Sequence, residues 1–191
     1  MSIRPKFELR DLARIAIFAA IIAVLGIIPG IPAFGGVPII AQNLGVMLAG
    51  AILGAWRGAA AVIVFEALVA VGLPLLSGGH GGLAVFYGPT AGYLFGWILG
   101  AFVIGLIARA GAQKPSLWRT ALALVAGGIG VVYALGIPVY ALVAHTPLWA
   151  TAVGNVVFLP GDIVKVIIAT VVTLALWRAY PKAFERTPHT A

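Results

Sequence analysis

GGHGGLAVFYGPTAGYLFGW, residues 78–97, is the stretch on which the reading of this chain turns. It opens with Gly78, Gly79, Gly81 and Gly82, interrupted only by His80, and passes into a helix-like segment. There Gly88, Gly92, Gly96 and Gly100 recur every fourth residue. Residues four apart share one slowly drifting stripe along a helix. Pro89 suits a first helical turn, where its missing N–H has no partner to lose. Pro89, Tyr93 and Trp97 form a second stripe beside the glycines. A face without side chains, flanked by aromatics, admits either another backbone or a flat ligand at close range. Gly105 lies off this ladder and is expected to tolerate a side chain better than Gly92.

Composition settles the class. Hydrophobic residues make up 62% of the 191 and charged residues only 9%, where a soluble domain carries about a quarter. The expectation is an all-α integral membrane protein, with the lipid bilayer as its surroundings and no nucleic-acid partner for its net charge of +7. Without cysteine there is no disulfide or thiolate metal site, and no metal is expected. A cleaved signal peptide is disfavoured, because Glu8 and Asp11 fall in the basic leader and the rest of the chain is equally membrane-like.

Six transmembrane helices are predicted, at about 12–29, 39–56, 59–73, 89–108, 120–140 and 152–178. Together they make residues 1–191 a single integral membrane domain. The turn between the second and third is placed at Arg57–Gly58, and the sixth is interrupted at Pro160–Gly161. Eleven of the twelve basic residues fall in the N-terminal segment, the Arg57 turn, the 109–119 loop and the tail. Cytoplasmic segments carry the Lys/Arg excess, so both termini are expected to be cytoplasmic. The connections at 30–38, 74–88 and 141–150 are then extracytoplasmic.

The remaining base, Lys165, lies inside the last span, three residues after Asp162 and therefore on its side of the helix. A charge within a membrane costs about 2.5–3.5 kcal/mol on insertion scales and normally faces protein or a polar cavity. Asp162 and Lys165 are read as a ligand-binding pair, against a purely local ion pair at a helix start. Glu66 is a third buried charge, with no role that the sequence assigns. The extracytoplasmic starts of spans 2, 4 and 6 bring Gln42, Asn43, Tyr87, Thr90, Tyr93, Asp162 and Lys165 to similar depth. An apolar pocket with a few placed polar groups fits a small amphiphilic ligand with an anionic end. In the first span Ala16 and Ala20, and likewise Ala19 and Ala23, sit four apart. Such a small-residue face marks close helix contact, within the chain or with a partner.

Four segments resemble the BioY family, the biotin-specific S components of energy-coupling factor (ECF) transporters. They are GGVPIIAQNLGVMLAGAILG at 35–54, VGLPLLSGG at 71–79, GGLAVFYGPTAGYLFGW at 81–97 and FLPGDIVKVIIA at 158–169. The family's GPTGGY reads GPTAGY here, with Ala91 adding one methyl group. The resemblance implies biotin held near the outer surface, with Asp162 and Lys165 in the pocket. It also implies docking of helix 1, through Ala16, Ala19, Ala20 and Ala23, on a transmembrane coupling protein. Two ATPase subunits would supply energy, the bilayer would be the bacterial inner membrane, and the loaded protein would topple to release its ligand.

The chain itself has no G-x-x-x-x-G-K-[ST] loop, so ATP use is assigned to the partners and no cofactor to this chain. Ser77 and His80 share a loop, yet no G-x-S-x-G, H-E-x-x-H or paired-carboxylate motif accompanies them. No catalytic residue is assigned, and the chain is not expected to be an enzyme. The rival reading is a self-sufficient oligomeric transporter or channel, disfavoured by the lack of an inverted repeat.

Overall fold

The computed structural model describes residues 8–33, 37–110 and 114–184. Arg4, Lys6 and Arg186 of the basic set, and Gly35 and Gly36 of the first motif, lie outside the described residues, as does the Lys182 side chain. Helix α1 spans Leu9–Gly26. It begins with a reciprocal cap in which the Glu8 side chain accepts a backbone N–H from Asp11 and the Glu8 N–H donates back to Asp11 Oδ2 at 3.3 Å. That arrangement satisfies two donors a helix start would otherwise leave unpaired. A two-stranded antiparallel hairpin follows, β1 at Ile31–Pro32 and β2 at Pro38–Ile39.

Helices α2, Gln42–Leu53, and α3, Ala55–Ala70, are joined by Gly54 alone. The turn expected at Arg57–Gly58 is therefore three residues early. Gly54 has φ +86° and ψ 179°, a conformation essentially reserved for glycine, so the chain reverses there. Trp56, Arg57 and Gly58 belong to the first turn of α3. Helix α4 spans Ala91–Ala108, with Pro89 in the turn before it rather than in its first turn.

The fifth rod is composite: α5 at Leu117–Val125, a π-turn at Ala126–Val131 and α6 at Val132–Val143. So is the sixth, with α7 at Leu148–Gly154, a 3₁₀ turn at Asn155–Phe158 and α8 at Leu159–Ala179. Its interruption lies at 155–158, not at Pro160–Gly161. Pro160 sits in the first turn of α8, where a missing N–H breaks no bond.

Helix α4 and the two composite rods, Leu117–Val143 and Leu148–Ala179, are long and apolar enough to cross a membrane. The outer face of α8 exposes Ile163, Val164, Ile167, Ile168, Val171 and Val172, an apolar strip far larger than water tolerates. Helix α4 is the central element. Its Leu94, Trp97 and Ala101 pack with Ile22 of α1, Val46 of α2 and Phe65 of α3. Its Ile104 and Ala108 pack with Met47, Leu124 and Val166. The glycine ladder serves this packing: a Cβ at Gly92 would press on Leu135 O and Val139, at Gly96 on Val132, and at Gly100 on Gly127 O. Backbone and the Val139 side chain take the stripe at Gly92, Gly96 and Gly100, whereas Gly88 lies open and lines the cavity described below. Gly105 corrects the expectation of tolerance, because a Cβ there would collide with the backbone of Gly54 and Ala55.

One end of the bundle is basic. Arg57 Nε pairs with Asp11 Oδ1 at 3.0 Å. Arg109 donates to Ile52 O and Phe184 O and lies over the Phe184 ring. Arg119 donates to Ala110 O and Lys114 O. The hairpin and the 71–90 loop form the other end.

Candidate ligand cavity

At that loop end is a cavity of about 460 Å³, within the range of about 300–1,000 Å³ usual for small-molecule sites. Six of the seven expected residues line it: Gln42, Asn43, Thr90, Tyr93, Asp162 and Lys165. Tyr87 does not. It follows the short 3₁₀ turn Leu83–Phe86 and is 80% exposed, so its neighbour Val85 reaches the cavity in its place. Residues with no polar signature complete the walls: Val37, Pro38, Ile39 and Ile40 from the hairpin, Leu76 and Gly78 from the loop, and Leu94, Trp97, Val132 and Phe158 from the helices. His80 and Ser77 also face it.

The charged pair forms, and it forms on the cavity wall. Lys165 Nζ donates to Asp162 Oδ1 at 2.9 Å. Tyr133 O–H donates to the other carboxylate oxygen, Oδ2, at 2.7 Å. Asp162 is buried in the first turn of α8, where the helix dipole favours its charge. Tyr133 is the site residue that sequence reading missed. Continuing a 3.6 period from the inward residues Thr120, Ala123, Leu124 and Gly127 brings Val131, Ala134 and Pro138 inward. The π-turn holds one residue more per turn than an α-helix. With it Val132, Gly136 and Tyr140 are buried, Ala134 is exposed, and Tyr133 reaches the cavity.

Asn43 Nδ2 donates to Gly128 O in that π-turn at 3.3 Å, while its Oδ1 is buried with no hydrogen-bond partner. A buried acceptor left without a donor is costly, and here it belongs to a cavity-lining side chain. Tyr93 O–H donates to Asn155 Oδ1 at 2.6 Å, and Asn155 Nδ2 donates to Thr151 O at 2.8 Å. The Tyr93 ring lies against Gly136, where any side chain would occupy its place. Among the described residues no three His, Asp or Glu side chains converge as metal ligands would. Glu66 is buried with Oε1 unpartnered and does not line the cavity.

An apolar cleft with an ion pair on its wall and one unpaired amide oxygen suits a particular ligand class. Such a ligand would combine an apolar body, an N–H donor and an anionic group. The alanines of α1 do not share one fate. Ala16 and Ala20 are exposed, whereas Ala19 is 2% exposed and Ala23 packs against the core. The expected single docking face is corrected to an outward half and an inward half.

Residues 1–182 match the BioY family. The chain belongs to that family. It is 46% identical over 183 residues to the biotin transporter BioY of Rhodobacter capsulatus, covering 91% of this chain and 96% of that one. It is 49% identical over 178 residues to the biotin transporter BioY of Rhizobium etli, covering 90% and 95%. Its fold matches the crystal structure of the S-component for biotin from an ECF-type ABC transporter with a TM-score of 0.85. That match has 35% identity and covers 93% of this chain and 96% of the other. These relatives are named as transporters and not as enzymes. With its apolar helices, the chain is a membrane protein of the same kind.

Proposed function

We propose that this chain captures biotin from outside the cell and carries it across the bacterial inner membrane as the S component of an ECF transporter. The observation that carries the reading is the Asp162–Lys165–Tyr133 group on the wall of an apolar cavity that also holds the unpaired Asn43 oxygen. Lys165 supplies the attraction for the carboxylate of biotin, Asn43 Oδ1 accepts a ureido N–H, and Trp97 and Tyr93 flank the rings. Residues 1–191 act as one integral membrane domain of six spans. Arg10, Arg14, Arg57, Arg109, Lys114, Arg119 and Arg178 mark the cytoplasmic end, where both termini lie, so the cavity opens outward. No cofactor is assigned to this chain. A coupling protein and ATPase subunits supply the energy.

Titration calorimetry of the purified chain with biotin tests binding. The expected affinity is nanomolar, about −12 kcal/mol, and millimolar binding or no heat rejects the proposal. Partner docking falls to the exposed half of the α1 alanines, Ala16 and Ala20. Ala20→Trp is expected to keep biotin affinity in detergent while abolishing uptake in cells and copurification of the ATPase subunits. Ala19→Trp, placed inside the core, is expected to destabilise the fold instead, by about 1–3 kcal/mol or more. Normal uptake by Ala20→Trp would remove α1 from the docking surface.

A further inference from the structure

Gln42 is wholly buried, and both N–H bonds of its amide are occupied. Nε2 donates to Leu75 O at 3.0 Å and to Ile22 O at 3.3 Å, while Oε1 accepts the Ser77 N–H at 3.0 Å. The amide thus pairs with residues 75 and 77 as one strand pairs with its neighbour, N–H to carbonyl and carbonyl to N–H. We propose that Gln42 is a positioning residue and not a ligand contact. It holds the Leu75–Ser77 segment, and with it the cavity wall formed by Leu76, Ser77, Gly78 and His80, against the ends of α1 and α2, and so sets how fast the ligand leaves.

Beyond Gln42, the wall is held by packing of Leu75 and Leu76 against the core and by short-range bonds within the loop, among them Gly79 N–H to Leu76 O at 2.9 Å. Leu76 and His80 form one isolated bridge, Ser77 Oγ donates to Ile28 O at 3.3 Å, and Gly78 and Gly79 adopt positive φ with no side chains to pack. A side-chain amide supplies donor and acceptor together, at two atoms and without a change of protonation. A carboxylate only accepts and an ammonium only donates.

Gln42→Glu keeps the shape but sets an anion against Leu75 O and Ile22 O. Once protonated, its O–H donates to Leu75 O and its C=O accepts from Ser77, which restores the pairing on the loop. Gln42→Leu keeps the volume and restores nothing. The kinetic probe is biotin, so this arm rests on the function proposed above. His80 on the loop and Asp162, Lys165, Tyr93 and Tyr133 across the cavity also carry titratable groups, so each rate is taken relative to the parent at the same pH.

At neutral pH both variants are expected to release biotin about tenfold or more faster than the parent, the scale of one buried polar group left unpaired. On acidification Gln42→Glu recovers toward the parental rate and Gln42→Leu does not. Parental release by Gln42→Leu, or no recovery of Gln42→Glu with acid, overturns the proposal. Amide exchange in ligand-free protein separates it from the choice of biotin. In Gln42→Leu the amides of Leu76, Ser77 and Gly79 are expected to exchange faster while those of α4 stay protected. Unchanged exchange at these three overturns it, whatever the protein binds.

Discussion

Asp162→Asn and Lys165→Met, each made alone, are expected to weaken biotin binding by about two to three and a half decades. Lys165 Nζ and Tyr133 O–H each hold one oxygen of the buried Asp162 carboxylate. Removing one member of a buried ion pair leaves the other without compensation, at a cost of about 3–5 kcal/mol, and each 1.4 kcal/mol is about a tenfold change in affinity. Lys165→Met also deletes the only Lys or Arg among the described cavity-lining residues, so its loss is expected to be the larger for an anionic ligand. The double substitution Asp162→Leu with Lys165→Leu discriminates between binding and fold. Replacing a buried pair by apolar side chains is often neutral or stabilising, so thermal stability in detergent is expected to stay near the parent while binding remains lost. Single variants that bind biotin within about threefold of the parent would make the pair a purely structural feature of α8.

Gly105→Leu is expected to deplete folded protein more than Gly92→Leu, and even Gly105→Ala is expected to lower the unfolding midpoint measurably. The difference lies in what each new side chain meets. At Gly105 it meets the main chain of Gly54 and Ala55, in the one-residue turn between α2 and α3. Gly54 cannot move without leaving the conformation that permits the turn. At Gly92 the nearest atoms are Leu135 O at 2.5 Å and the Val139 side chain at 2.6 Å, against a still shorter approach to Ala55 N at Gly105, so the clash is smaller and only partly with backbone. Overpacking a well-filled core costs about 1–3 kcal/mol and occasionally more, against a total stability of about 5–15 kcal/mol. The upper end is expected where only backbone can give way. Thermal unfolding in detergent ranks the two. Gly92→Leu being as damaging as Gly105→Leu would mean that the α4–α6 contact is as rigid as the Gly54 turn.

The membrane class, the basic end and the polar pair were all legible in the chain as written. Each rests on composition or on local spacing: few charges, basic residues confined to one set of connections, and Asp162 three residues before Lys165. The α2–α3 turn was misplaced because Arg57 looks like a boundary. Its charge instead folds back onto Asp11 of α1, a partner 46 positions away in the chain. Tyr133 was invisible because a π-turn changes the phase of the fifth rod, and periodicity assumes a constant 3.6 residues per turn. Ala16 and Ala19 are both small and apolar, yet burial separates them according to which neighbours α1 meets. Gln42 was correctly placed at the cavity, but its occupancy by Leu75 and Ser77 belongs to a loop some 33 residues further along. Local pattern therefore determined which side chains approach the loop end of the bundle. Long-range contacts decided which of them face the cavity, which hold its wall, and which are consumed in packing, because a hydrogen bond or a backbone approach depends on partners that no sequence spacing records.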